Sequence, residues 1–352
     1  MNSGYYKGRG AQINTKNKFL SREVVQEHPE GIDEAHIADH PRKIFLESPK
    51  RILSKNTSPD IPFNYSINPY QGCEHGCVYC YARNVHTYWG FSAGLDWETK
   101  IIAKKNAPQL LEKEFLKGSW IAERIIMSGN TDPYQPIEHK LKITRSLLQV
   151  FVKYRNPVGI ITKNNLIVRD MDLLKKLAEK NLVRVFFSIS TLDEKLRRKL
   201  EPRSVNATKM LKAISSLSDN GIETGVMMAP IIPSINDHEI HPILRQSAEN
   251  GAITANYTLA RFNGDIAAIF YDWLQKNFPD RANKVWEKVK SFHGGSVNDS
   301  RFGKRMSGEG EYAKMIRSVF AAARAKYFQD IELKPLRTDL FRRNGNLNIF
   351  DD

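Results

Sequence analysis

Three thiols, Cys73, Cys77 and Cys80, lie close together in the segment NPYQGCEHGCVYCYARN, and the chain has no other cysteine. An odd, clustered set excludes a disulfide framework. Thiolates are ligands for zinc or for iron–sulfur clusters, and gaps of three and then two residues let one loop wrap one centre. Zinc is one reading, with His75 as a fourth ligand, although structural zinc sites usually pair two short ligand hairpins and only one is present here. Three cysteines without a fourth fit a [4Fe–4S] cluster with one iron open to an external ligand. That arrangement suits chemistry at the iron better than simple electron transfer, which four protein ligands serve.

The elements that must position this loop repeat along the chain. Short, nearly continuous apolar runs occur at 63–70, 123–130, 158–163, 183–190, 223–230 and 252–260, each suited to a strand buried on both faces. Between them, 139–154, 171–181 and 208–221 place apolar residues three and four apart, as helices do, and the last ends in the C-cap signal Asn220-Gly221. Six strands alternating with helices predict a parallel α/β sheet or barrel, with the site at the strands' C-terminal ends. Polar, Gly and Pro residues do gather there: Gln71-Gly72, Thr131-Asp132-Pro133, Lys163-Asn164, Thr191, Pro230 and Arg261. Residues 1–60 read as a loosely structured lead-in with at most a short helix, 61–262 as the barrel, 263–329 as a helical extension and 330–352 as an extended tail.

Cys-x3-Cys-x2-Cys, with an aromatic before the last Cys and a place on the loop after the first strand, resembles the radical S-adenosylmethionine (SAM) superfamily. The resemblance implies an α/β fold, a partial (βα)6 TIM-type barrel with a helical C-terminal extension. It also implies a [4Fe–4S] cluster on Cys73, Cys77 and Cys80, with SAM bound through its amino and carboxylate groups at the fourth iron. One electron then cleaves the sulfonium to methionine and a 5′-deoxyadenosyl radical, which abstracts hydrogen from the substrate. The segments 128–138, 161–174, 190–203 and 225–237 resemble the branch related to spore photoproduct lyase, which reverses a methylene-linked thymine dimer in DNA. The segments GRGA, CEHGCVYCYAR, FSAGLDWETKI and NDSRFGKRM resemble an uncharacterised bacterial group over nearly the full chain. By position, Ser128, Gly129, Asn130 and Thr131 are expected at the SAM amino group, with Asp132 and Glu138 as possible additions. Lys163, and Arg203 unless it pairs with Glu201, are expected at the carboxylate, Ser188 and Ser190 at the ribose, and Tyr79 with the Met228-Ala229 backbone at the adenine. Some lyases of that branch return a hydrogen atom from a further cysteine. None remains here, so Tyr134, Tyr81 and Tyr257 are the candidate donors.

The chain has 352 residues with 53 Lys and Arg against 39 Asp and Glu, a net charge of +14. With 41% hydrophobic and 26% charged residues it reads as globular rather than disordered or fibrous, and no apolar stretch approaches a membrane span. A polar, basic N-terminus and reduced thiols point to the cytoplasm. The charge proposes nucleic acid as partner. Arg281, Lys284, Lys288, Lys290, Arg301, Lys304 and Arg305 are the candidate phosphate contacts, with Arg83 and Trp89 near the cysteines as candidate base contacts. Asn346–Phe350 is a degenerate likeness of the peptides that dock bacterial sliding clamps. The electron requires a reducing partner such as flavodoxin or ferredoxin. The leading expectation is a radical SAM enzyme acting on a nucleic-acid base, in repair or modification. The alternatives are the same chemistry on a protein or small molecule, and a non-catalytic zinc- or cluster-bearing nucleic-acid-binding protein.

Overall fold

The computed structural model describes residues 6–17, 19, 42–329 and 333–344. Its strands are β1 (Lys43–Glu47), β2 (Leu53–Lys55), β3 (Tyr65–Ile67), β4 (Tyr70–Gln71), β5 (Lys100–Lys104), β6 (Ile125–Met127), β7 (Val158–Thr162), β8 (Val183–Ser188), β9 (Thr224–Ile231) and β10 (Thr254–Leu259). Its α-helices are α1 (Leu95–Thr99), α2 (Ala107–Phe115), α3 (Glu138–Leu141), α4 (Ile143–Tyr154), α5 (Met171–Ala178), α6 (Glu194–Leu200), α7 (Ala207–Ser218), α8 (Ile240–Glu249), α9 (Ile266–Asn277), α10 (Ala282–Phe292) and α11 (Gly310–Tyr327).

The six apolar runs of the sequence become β3, β6, β7, β8, β9 and β10, parallel neighbours in that order, with β2 antiparallel at the β3 edge. Side chains alternate across such strands. Val158, Ile160, Val185, Phe187, Val226 and Met228 are wholly buried on the helix side. Ile161, Phe186 and Met227, on the opposite face, are only partly covered. There a Cβ on Gly225 would stand 2.6 Å from the Phe186 ring, so a large side chain on β8 fills the space left on β9. Helix α4 buries Ile143, Leu147, Leu148, Phe151 and Tyr154, the stripe a 3.6-residue period places on one face. Helix α7 starts where the Asn206 side chain accepts the Lys209 N–H at 2.9 Å and ends just before Asn220-Gly221.

The three helical runs after 261 are α9, α10 and α11. Phe262, Phe270, Trp273 and Val289 pack with Cys77, Val78, Tyr79 and Leu200 in one apolar cluster, so the extension braces the cysteine loop. The lead-in is more structured than its composition suggests. Strand β1 pairs in parallel with β5, and with β4 they form a second, three-stranded sheet, while β2 joins the barrel sheet. Residues 333–344 contain no helix or strand, and they are tied to the barrel by Arg337 N–H to the Asn181 carbonyl (3.0 Å) and Arg342 N–H to that of Tyr154 (2.9 Å). The clamp-like segment 346–350 lies outside the described residues. No helix among the described residues is long and apolar enough to cross a membrane.

Candidate active site

The cysteine loop leaves β4 and enters a 3-10 helix at Tyr81–Trp89. Its backbone is held by Cys73 N–H to the Trp97 carbonyl (2.9 Å), Val78 N–H to that of Leu200 (3.0 Å) and Arg203 N–H to that of His75 (3.2 Å). Cys73 and Cys77 are buried and Cys80 is partly exposed. Burial pushes the Cys77 thiol well up, reinforced by the Glu201 carboxylate, and pushes Cys80 up to about 11 with help from Cys73. A soft cationic centre offsets that cost by taking the thiolates as ligands.

A second shell unites three stretches that are remote in sequence. Glu98 on α1, wholly buried, accepts from Arg83 Nη2 at 2.5 Å, Ala11 N–H at 2.8 Å and Gly10 N–H at 3.1 Å. Arg83 also donates to the carbonyls of Cys77 (2.9 Å), Gly94 (2.9 Å) and Ala93 (3.2 Å). Gly10 lies so close to the loop that a Cβ would stand 1.7 Å from the Gly76 carbonyl oxygen. GRGA, the cysteine segment and FSAGLDWETKI are thus one structural unit. Arg83, expected at nucleic acid, is a wholly buried strut, and all of its described contacts are internal.

A network forms around the buried Glu201. It accepts from Lys163 Nζ (3.1 Å), from Ser204 Oγ (3.0 Å), and from the Ser190 and Tyr79 hydroxyls. Lys163 also donates to Ser188 Oγ at 2.9 Å, and its ammonium lies 5.6 Å from the Tyr79 ring centroid. The structure therefore brings Tyr79, Lys163, Ser188 and Ser190 together, on one face as alternation required, through a carboxylate that the sequence had only suggested as an Arg203 partner. Arg203 itself is exposed, and the Glu201 ion pair goes to Lys163. Burial opposes the charge on Glu201, yet Lys163 and the hydroxyls hold its carboxyl below the ordinary value.

The turn after β6 is pinned to the first strands. Asn68 Oδ1 accepts the Asn130 and Thr131 N–H groups (3.0 and 3.1 Å), Asn130 Nδ2 donates to Gln71 (2.6 Å), and Thr131 Oγ1 donates to the Tyr70 carbonyl (3.0 Å). Gly129 takes φ +94°, a conformation glycine adopts without strain, and its carbonyl accepts the Tyr81 hydroxyl. Asp132 turns toward His75 (Nδ1–Oδ2 3.4 Å) and accepts from Lys163 N–H (2.6 Å) and Thr162 Oγ1 (2.8 Å). His75, the fourth ligand on the zinc reading, thus has a carboxylate partner. Among the described residues no three His, Cys, Asp or Glu side chains converge on a single-ion site. Three thiols on one loop, with the His75 ring turned to Asp132, suit a cluster whose thiolates each bind a different iron.

Several expected site residues stand elsewhere. Tyr134 is wholly buried and donates to Asp170 at 3.1 Å, inside a carboxylate–guanidinium cluster with Arg145, Arg169 and Glu138. Register pairs Tyr257 with Met228 on the helix side of the sheet, where its ring packs 4.4 Å from Phe320 of α11. Neither reaches the cavity as a hydrogen donor; Tyr81, half exposed beside Cys80, remains. The Met228 side chain is core, and Ala229 is partly exposed. Of the basic run, Arg281 and Lys284 are exposed, while Lys290 pairs with Glu287, Arg301 with Asp299, Lys304 with Glu309 and Arg305 with Asp60. Lys288 donates to Ser234 and covers the Tyr312 ring. Trp89 is 40% exposed at the end of its 3-10 helix.

The model of the Radical SAM superfamily matches residues 67–246. The chain belongs to the radical SAM superfamily. As for any member, its cofactors are a [4Fe–4S] cluster and SAM, and the three loop thiols are the residues that fit the cluster. An uncharacterised protein of Methanocaldococcus jannaschii is 33% identical over 64% of this chain and 80% of its own. One of Mycobacterium tuberculosis is 31% identical over 64% of this chain and 67% of its own. In fold, the chain matches spore photoproduct lyase complexed with dinucleoside spore photoproduct. The TM-score is 0.59 and the identity 16%, over 81% of this chain and 80% of that one. This radical SAM enzyme therefore shares the lyase's partial barrel, whatever its substrate.

Proposed function

We propose that this radical SAM enzyme acts on a base within nucleic acid, in repair or modification. When bound, the cluster and SAM supply a 5′-deoxyadenosyl radical by one-electron cleavage of the sulfonium. The remaining work falls to the chain's own side chains. Ser128–Thr131 receive the amino end of SAM. Arg203, the exposed cation not engaged by Glu201, would receive the carboxylate, and Ser188 and Ser190, tied to Lys163 and Glu201, would meet the ribose hydroxyls. Tyr79 and the backbone at Met228-Ala229 would hold the adenine. Arg281 and Lys284 are phosphate contacts at the rim, and Trp89 is a stacking surface.

The observation that carries the nucleic-acid half is the shared fold with a lyase bound to a dinucleoside, in a chain of net charge +14. A lyase that returns hydrogen from a cysteine is not the pattern here, because all three cysteines belong to the cluster loop. The exposure of Tyr81 beside Cys80 supports it as the hydrogen donor. The test is anaerobic reconstitution, dithionite reduction and measurement of 5′-deoxyadenosine with DNA, RNA or a peptide pool added. Nucleic acid should raise the yield. Cleavage that nucleic acid leaves unchanged, with no binding at low salt, would redirect the chemistry to a protein or small molecule. Clamp docking through Asn346–Phe350 is a subsidiary proposal, tested by deleting those residues and assaying clamp binding.

A further inference from the structure

The loop at residues 293–309, which contains NDSRFGKRM, spans the open side of the barrel. On one side it holds the end of β10: Leu259 N–H donates to the Met306 carbonyl (3.0 Å), Phe262 N–H to that of Val297 (2.8 Å), and His293 Nε2 lies 3.0 Å from that of Ala260. On the other it grips the turn between β2 and β3. Gly303 N–H and Arg305 Nε each donate to Asp60 at 2.6 Å, and Arg305 reaches Ser58. Strands β10 and β2 are the two edges of the seven-stranded sheet, so the loop bridges the seam that a six-strand barrel leaves open.

Two groups at this seam, one on the bridge and one at the end of β10, are left with surface or charge to offer a ligand. Phe302 is 59% exposed, with the Arg305 guanidinium 4.8 Å from its ring centroid. Arg261, just past β10, is half-buried, yet it makes no hydrogen bond or ion pair among the described residues. Its charged neighbours are Arg305, which repels it, and Asp60, whose two oxygens already serve Arg305 and Gly303. The Tyr81 hydroxyl, on the residue after Cys80, and the His293 ring are further polar neighbours. A guanidinium stripped of part of its water and set beside another cation is costly until an anion joins it. Burial and Arg305 accordingly hold its pKa below the ordinary value. The planar fork suits a phosphate, and an exposed ring next to it suits a base.

We propose that Arg261 and Arg305, with the ring of Phe302, form a nucleotide site at the seam, Arg261 taking a backbone phosphate and Phe302 stacking the adjoining base of the strand being processed. The proposal rests on the nucleic-acid reading above and assigns it a location beside Tyr81, next to the cluster loop.

The experiment measures anaerobic holoenzyme binding a fluorescent single-stranded oligothymidylate across a salt series. Arg261→Gln should weaken binding about tenfold and reduce the slope of log affinity against log salt by about 0.7. Phe302→Ala should weaken binding roughly tenfold with the slope unchanged, and Arg261→Lys should restore the slope in part. Arg245→Gln, at an exposed position of α8, removes the same charge elsewhere and controls for net charge; iron content and Tm confirm that each variant is folded and loaded. Equal losses in Arg261→Gln and Arg245→Gln, or full-strength binding by Arg261→Gln, would overturn the site while leaving nucleic acid as the partner. Wild-type protein that binds neither DNA nor RNA would overturn both. Competition by thymidine monophosphate as effective as by the oligomer would support the phosphate site with a free nucleotide as occupant; competition by the oligomer alone would support it with a strand.

Discussion

Replacing Glu98 with Gln changes one atom, and the structure says how much that atom matters. Three donors converge on the carboxylate, Arg83 and Ala11 on Oε1 and Gly10 on Oε2. An amide has one acceptor oxygen, so either orientation sets its NH2 against at least one of those donors. Arg83 and Glu98 are both wholly buried, and removing one charge of such a pair leaves the other uncompensated, at about 3–5 kcal/mol. For a chain of this size the low end corresponds to a Tm lower by roughly 4 °C. Melting is followed on the metal-free protein, so that cluster loss does not contribute, and iron per chain is measured separately after reconstitution. We expect Glu98→Gln to melt lower and retain less iron, because the strut it releases carries the Cys77 carbonyl. Glu98→Leu, which leaves all three donors unpaired, should fall further. Glu311→Gln breaks an exposed pair with Lys314 and should change nothing. A Glu98→Gln variant with wild-type Tm and iron content would refute the reasoning.

His86 should make stability pH-dependent. It is wholly buried, and desolvation lowers its pKa from 6.5 to about 4. Between those values the unfolded chain binds a proton that the folded one refuses, so stability falls as pH drops through that window, by at most about 3 kcal/mol. Denaturant midpoints at pH 7.5 and 4.5 should differ less in His86→Gln than in wild type. Gly10→Ala should prevent the N-terminal strap from seating on Gly76, seen as faster amide exchange at Ala11 and lower iron occupancy. Phe187→Ala, beneath the Ser188 end of β8, should cost about 3–5 kcal/mol in unfolding free energy. Cys77→Ser should abolish the cluster's visible absorbance while leaving the far-ultraviolet dichroism intact.

The barrel was legible because its signals are local. A strand buried on both faces must be apolar along its length, and a helix covering it must carry a stripe; all six strands and the three C-terminal helices follow from those two constraints. The cysteine loop was equally legible, since its three ligands are near neighbours in the chain. Strand β5 and the second sheet were not, because the three apolar residues of Lys100–Lys104 are flanked by lysines and pair with a β1 whose residues are largely exposed. Tyr134 and Tyr257 show the same limit from the other side. A tyrosine in sequence near a site carries no record of whether it faces the cavity, Asp170 or Phe320.

Residue type and spacing alone thus determined that the three cysteines form one ligand set on one loop, and that Ser188 and Ser190 share a face by alternation. Tertiary structure alone decided which charges meet. Glu98 joins GRGA to the cysteine loop, Glu201 takes Lys163 rather than Arg203, and Arg301, Lys304 and Arg305 spend their charge on Asp299, Glu309 and Asp60. The physical reason is range. Periodicity is enforced by the backbone over a few residues, whereas an ion pair is chosen by whichever opposite charge the completed fold brings within about 4 Å, out of water. Arg261 is left over by that choice, half-buried beside the seam with no anion of its own.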